Sequence, residues 1–151
     1  TIYDTEKWPK EPLFYANFPS ISDPNMAPKG KEACFILIPL APGLKDTDEL
    51  RDQYFDIVLK RLEKLTDQKI EDDILFRESF GVNDFISVYN SYKGNAYGMA
   101  NTLLQTAFLR PKLKSKKVKN LYFTGQLTVP GPGVPPALIS GKLVAGLIEK
   151  A

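Results

Sequence analysis

Residues Asn120 to Lys150 read Asn-Leu-Tyr-Phe-Thr-Gly-Gln-Leu-Thr-Val-Pro-Gly-Pro-Gly-Val-Pro-Pro and then Ala-Leu-Ile-Ser-Gly-Lys-Leu-Val-Ala-Gly-Leu-Ile-Glu-Lys. The apolar run Leu121, Tyr122, Phe123, closed by Gly125, predicts a short buried strand, and the Pro/Gly-dense turn after it leads into an apolar-periodic helix rich in small residues. Pro135 and Pro136 fall at the first turn of that helix, where the amide they lack has no intrahelical partner anyway. Gly131 and Gly133 remove side chains that would keep a ligand from the backbone, so amides and the positive helix end can face an electron-rich group. Ala137, Gly141 and Ala145 recur every four residues as one small-residue face, with Leu138, Val144 and Ile148 adding bulk beside it. The residues alone leave two readings open: close packing of a helix on a sheet, which such turns commonly serve, and a cofactor turn.

Working outward, the chain of 151 residues is long enough for one modest domain, and 43% hydrophobic with 25% charged residues is ordinary for a globular protein. A formal charge of +2 says little about partners. The single cysteine, Cys34, rules out an internal disulfide and fits a reducing compartment; in Ala33-Cys34-Phe35-Ile36-Leu37-Ile38 it reads as buried filler. The absence of histidine excludes Ser-His and Cys-His catalysis and His-ligated metals within this chain. No metal site is expected: Glu71-Asp72-Asp73 is three adjacent carboxylates pointing in diverging directions, the pattern of a solvated loop.

Residues 1–11 read as an irregular lead-in, Pro12 to Phe18 as an aromatic-rich strand, Ser22-Asp23-Pro24-Asn25 as a turn, and Ala33 to Leu40 as a strand buried on both faces. Asp46 and Glu49 stand in capping-box spacing ahead of Leu50, Tyr54, Ile57, Val58, Leu62 and Leu65, which predicts a helix from about Thr47 to Thr66. Ile74 to Phe80 reads as a strand and Asn83 to Tyr89 as a short helix starting at an Asn cap. The basic run Arg110 to Lys119 lacks the stacking aromatics or reading helix of a nucleic-acid site. A solvated loop, or contact of Lys112, Lys114, Lys116 and Lys117 with an anionic membrane surface, fits it better. The helix from Val134 to Ile148 contains Lys142 and falls short of the ~20 residues needed to cross a bilayer.

The Asn120–Lys150 stretch resembles the carboxy-terminal flavin motif of the bacterial-type phytoene desaturase family, the carotenoid desaturases and isomerases related to amine oxidases. The matching residues are Asn120, Leu121, Tyr122, Gly125, Thr128, Pro130, Gly131, Gly133, Val134 and Pro135. Upstream, Phe14-Tyr15-Ala16-Asn17-Phe18-Pro19-Ser20 with Asp23-Pro24, Met26-Ala27-Pro28 and Gly30 resembles the family's passage across its substrate domain. Tyr54 to Leu62, Asn83-Asp84-Phe85, Gly94-Asn95-Ala96-Tyr97-Gly98, Leu103-Leu104-Gln105 and Arg110-Pro111 follow in the family's order. The turn departs from the family's usual Thr-His-Pro-Gly-Ala-Gly: Val129 stands for the His, Pro132 for the Ala, and Pro136 where Gly is frequent. No imidazole is therefore offered there, and no residue has an acid-base role on this reading.

The resemblance implies an α+β piece of a two-domain FAD-dependent flavoprotein. Residues 1–111 would belong to the substrate-binding domain and 112–151 would form the last strand, turn and helix of a Rossmann-type FAD domain. Gly125, Gln126, Leu127, Thr128, Gly131, Gly133 and Val134 would line the flavin, chiefly by backbone, and Tyr97, Met99 and Leu103 would form part of the substrate wall, where core packing is the competing assignment. None of the ten glycines stands in the Gly-x-Gly-x-x-Gly spacing that holds the ADP half of FAD. With Thr1 in place of Met and no secretory signal, the chain reads as a carboxy-terminal fragment, inactive alone, of a carotenoid desaturase that is cytoplasmic and peripheral to the membrane. The implied partners are a lipophilic carotenoid and the missing amino-terminal part. Two alternatives stand beside this: a non-catalytic apolar-ligand or membrane-surface module, and a carotenoid isomerase or saturase of the same family.

Overall fold

The structure, a computed structural model, describes residues 6–100 and 102–150. The first five residues of the expected lead-in, and Ala151 at the end of the expected FAD-domain piece, lie outside the described residues. The architecture is a small mixed α+β arrangement: β1 (Tyr15–Asn17), α1 (Pro19–Ser22), β2 (Phe35–Leu37), α2 (Asp48–Thr66), α3 (Val82–Tyr89) and α4 (Val134–Glu149), with short 3-10 turns between. β1 and β2 pair antiparallel, Tyr15 opposite Leu37 and Asn17 opposite Phe35, as a two-stranded ribbon.

The long helix forms where the apolar spacing predicts it, with Tyr54, Val58, Leu59 and Leu62 on its buried face. Its cap is Thr47 and not the expected Asp46: Thr47 Oγ1 accepts the Leu50 amide at 3.3 Å. Asp67, in the left-handed region, closes the far end. Glu63 then catches the outgoing chain, its Oε1 accepting the amides of Ile70 (2.6 Å) and Glu71 (3.0 Å), and these bonds hold its carboxyl below the usual range. The lead-in is anchored on the same helix. Trp8 packs against Tyr54 with ring centroids 4.4 Å apart and planes tilted by 41°, and donates its indole N–H to Lys45 O at 2.7 Å, while the Tyr54 hydroxyl donates to Pro9 O at 2.5 Å. A small core of Ala41, Leu44 and Val82, flanked by Trp8 and Leu40, sits between the lead-in and α3.

Asp46 leaves the capping role because it has stronger partners. Its carboxylate accepts a bidentate pair from Arg51 (2.7 and 2.6 Å) and the Asn83 amide (2.9 Å), and its backbone O accepts Asn83 Nδ2 (2.9 Å). Asn83 thus serves this junction, and the cap of α3 is Gly81, whose amide donates to Asp84 Oδ2 at 2.7 Å. The Arg51 hydrogen bonds, with backbone donors from Asn83 and Val82, hold the Asp46 carboxyl below its ordinary value despite burial, and the same pairing pushes the Arg51 guanidinium up.

Four expected strands differ. Ala33 to Leu40 is regular only over β2, and Phe35 is exposed, because one neighbouring strand covers one edge and nothing stacks on both faces. Pro12 to Phe18 shortens to β1, and Ile74 to Phe80 runs without regular structure, with Leu75 and Phe76 exposed. Leu121 to Phe123 contributes an isolated antiparallel bridge, Lys114 to Tyr122, and no buried strand; Leu121 and Phe123 are exposed for want of parallel neighbours among the described residues. Cys34 is exposed and not buried filler. Among the described residues no group of His, Cys, Asp and Glu could hold a metal ion, and no helix is long and apolar enough to cross a membrane.

Replacing Asp46 with Asn should weaken the protein by roughly 1–3 kcal/mol at neutral pH, since one buried charged partner of Arg51 is removed; urea unfolding measures it. Because the folded-state carboxyl titrates below its ordinary 3.8, its contribution is present above that value and lost as pH falls through the lower folded value. The acid limb of the stability curve should therefore be shallower in the variant than in the parent.

Candidate functional site

The turn from Gly125 to Val134 is held from below by three side chains. Leu113–Ser115 runs antiparallel to Leu121–Phe123, with Phe123 N donating to Leu113 O (2.8 Å) and Ser115 N to Leu121 O (2.9 Å). Past this pair, Ser140 of α4, at 0% exposure, joins turn to helix: its Oγ accepts the Gly125 amide (2.7 Å), lies 2.7 Å from Thr124 Oγ1, and donates to Ala137 O (2.6 Å). Thr128, at 2% exposure, folds its hydroxyl inward onto Gly125 O (2.8 Å). Arg110, at 3% exposure, donates Nη1 to Gln126 O (3.0 Å), and its guanidinium lies against Gly131. The expectation of a solvated loop from Arg110 to Lys119 therefore fails at its first residue, while Lys112, Lys114, Lys116 and Lys117 are exposed, Lys114 over the Tyr122 ring at 5.5 Å.

The residues expected to line a cofactor are contiguous around the start of α4. Gly125 is half-buried with φ +102°; Gln126 presents its backbone O to Arg110; Leu127 is half-exposed; Gly131 is buried and Gly133 exposed; Val134 opens α4 with its side chain in solvent. Gly131 and Gly133 hold φ +142° and +108°, a region in which a side chain would strain the backbone by about 1–3 kcal/mol. Of the expected substrate-wall residues, Tyr97 and Met99 flank Gly98, which abuts the turn so closely that a Cβ there would sit 2.3 Å from Leu127 Cδ2. Leu103 is strongly exposed in a separate 3-10 turn.

Pro135 and Pro136 occupy the first turn of α4 and bring no N–H. The amides offered at this end are those of Gly131, Gly133 and Val134, and none makes a hydrogen bond among the described residues. Backbone donors at a helix N-terminus favour negative charge there. Ser140 and Arg110 are the residues that sequence reasoning missed. Ser140 carried a signal, a lone hydroxyl in an otherwise apolar and small helical face; Arg110 was masked by the lysines that follow it.

No family model matches the chain. Over 149 residues, 98% of its length, it is 46% identical to a carotenoid 3,4-desaturase of Haloarcula japonica. It is 34% identical over 90% of its length to a zeta-carotene-forming phytoene desaturase of Myxococcus xanthus, and 36% identical over 92% to a 4,4'-diapophytoene desaturase of Staphylococcus haemolyticus. The chain is related to the carotenoid desaturases. It spans 30%, 27% and 29% of the lengths of these three relatives.

Ser140→Ala should leave the Gly125 amide and the Thr124 hydroxyl without their buried partner, at roughly 1–3 kcal/mol. Denaturant unfolding reads the loss, and hydrogen exchange at the Gly125 amide should accelerate more than at amides in the middle of α2.

Proposed function

We propose that this chain is the carboxy-terminal part of a FAD-dependent carotenoid desaturase that introduces C=C bonds into a lipophilic polyene. In this reading, residues 1–111 belong to the substrate-binding domain, and residues 112–151 form the closing strand, turn and helix of a Rossmann-type FAD domain. The observation that carries it is the coincidence of a relation to carotenoid desaturases over 98% of this chain with a turn whose positive-φ glycines stand at one helix start and whose Gly131, Gly133 and Val134 amides make no hydrogen bond among the described residues. Gly125, Gln126, Leu127, Thr128, Gly131, Gly133 and Val134 would hold the flavin ring by backbone. The ADP half requires a diphosphate loop that this sequence lacks.

FAD, when bound, supplies the two-electron acceptor for removal of hydrogen from the polyene. The chain's own residues do the rest. The Gly131, Gly133 and Val134 amides, with the positive end of α4, stabilise negative charge at the ring edge nearest them. Val129 at the side of the turn offers an apolar face and no proton, so acid-base work, where the reaction needs it, falls outside this turn. A hydrocarbon has no polar handle, so its affinity comes from apolar burial at about 25 cal/mol per Å². Tyr97 and Met99, held beside the turn by the Gly98–Leu127 contact, are the residues of this chain suited to that wall, with Leu103 a more distant candidate. The exposed Lys112, Lys114, Lys116 and Lys117 suit peripheral contact with an anionic membrane in which such a substrate dissolves.

The chain alone should retain no FAD, and the enzyme completed with its amino-terminal part should hold it stoichiometrically by flavin absorbance. In that enzyme Gly133→Val, at φ +108°, should lower FAD affinity by about tenfold or more, the equivalent of 1.4 kcal/mol of strain or lost approach. Product analysis with a carotene substrate separates desaturation from isomerisation or saturation. A completed enzyme that folds yet holds no flavin would sink the assignment.

A further inference from the structure

The turn is braced across its width by Arg110, a residue that belongs to none of the glycine-turn positions. Its Nη1 donates to the carbonyl of Gln126 at the front of the turn (3.0 Å), and its Nε and Cζ lie 3.6 and 3.7 Å from the point where a Cβ would stand on Gly131 at the back. Val129, between the two, lines with Arg110 an open cleft whose other walls are Phe108, Leu113, Leu147, Lys112 and Lys114. The guanidinium is thus buried against the turn, in a cleft that Lys112 and Lys114 also line. A charge in a buried site acts in a medium that screens it weakly.

We propose that Arg110 is a positioning residue with an electrostatic role: it holds the Gln126–Gly131 segment in place and puts a fixed positive charge under the turn, biasing a flavin bound there toward its reduced, more negative form. The inference rests on the flavin reading of the turn. It follows from two independent features of one side chain. The fork reaches both ends of the turn, so losing it frees the loop; the charge adds to the partial positive charge of the α4 N-terminus, so losing it removes attraction for electrons arriving at the ring. A lysine can supply the second but not the first, since it carries a point charge without a planar fork.

The experiment is a dye-equilibrated reductive titration of the FAD-loaded enzyme containing this chain, as the parent, Arg110→Lys and Arg110→Gln, with thermal melting of each. Arg110→Gln should lower the flavin midpoint so that the two-electron reduction equilibrium falls at least tenfold, 29.6 mV, while Arg110→Lys stays within that interval although both variants melt earlier. A brace without electrostatic effect would move the melting temperature and leave both midpoints alone, or shift both equally, and either result overturns the proposal. Should Arg110→Gln fail to hold flavin, Arg110→Ala titrated with millimolar guanidinium chloride replaces it: recovered flavin and midpoint support the proposal, and no recovery overturns it. A parent enzyme without flavin would overturn the underlying reading of the turn as well, which distinguishes the two failures.

Discussion

The Asp46 carboxylate is the joint on which the amino-proximal two-thirds of the structure turns. With its side chain 1% exposed, it must have its charge answered on the spot, and Arg51 from α2 and the Asn83 amide from α3 answer it. A buried carboxylate that lost one of these partners would be left with an uncompensated charge, so the two helices are fixed relative to each other by a cost and not merely by contact. Arg51 also meets Asp84 at 2.7 Å, which ties the same guanidinium to the carboxylate that accepts the Gly81 amide at the start of α3. From that helix the chain passes through Tyr92–Gly94, where Lys93 O accepts the Gly43 amide at 2.7 Å and fastens the loop to the small core, and then reaches Gly98 against Leu127. A continuous line of polar and steric contacts therefore runs from Asp46 to the glycine turn.

The carboxy-terminal helix presents the opposite situation. Leu138 is 71% exposed, and Val134, Ile139, Leu143 and Ile148 are exposed or half-exposed with it, although α4 is apolar nearly all round. A helix of that composition is normally enclosed. Its one fully buried side chain is polar, Ser140, and what holds the helix in place is hydrogen bonding to Thr124 and Gly125. An exposed apolar face of that extent suits burial against another layer.

How far sequence could go follows the same division. Helices were readable because their signals are local: the spacing of Tyr54, Val58 and Leu62 and the prolines at the start of α4 need no distant partner to be interpreted. Strands were not, because Leu121–Phe123 and Ile74–Phe80 carry strand composition while their pairing depends on residues elsewhere, and β-preference expresses fit to a neighbouring strand more than a backbone tendency. The positions of the turn glycines were readable from their spacing with the prolines. What braces the turn was hidden: Ser140 and Arg110 act over 15 and 16 residues of separation from the groups they bond, a relation no periodicity encodes. Asp46 reads as a cap for the same reason, since its partner on α3 lies 37 residues away.

The two prolines of the first helical turn then acquire a consequence beyond stiffness. An ordinary helix start offers four unpaired amides, and a group approaching it can settle among them in several ways. Here Pro135 and Pro136 remove two, so the helix start keeps the amides of Gly133 and Val134, with that of Gly131 two residues ahead of them. In the turn before it, Thr128 N is already bonded to Gly125 O at 3.1 Å and the Gly125 amide is committed to Ser140. Fewer donors, each fixed by backbone geometry that side chains beneath the turn hold in place, give a narrower choice of docked orientation. On the flavin reading proposed for this turn, that narrower choice would orient a planar ring by main-chain atoms alone.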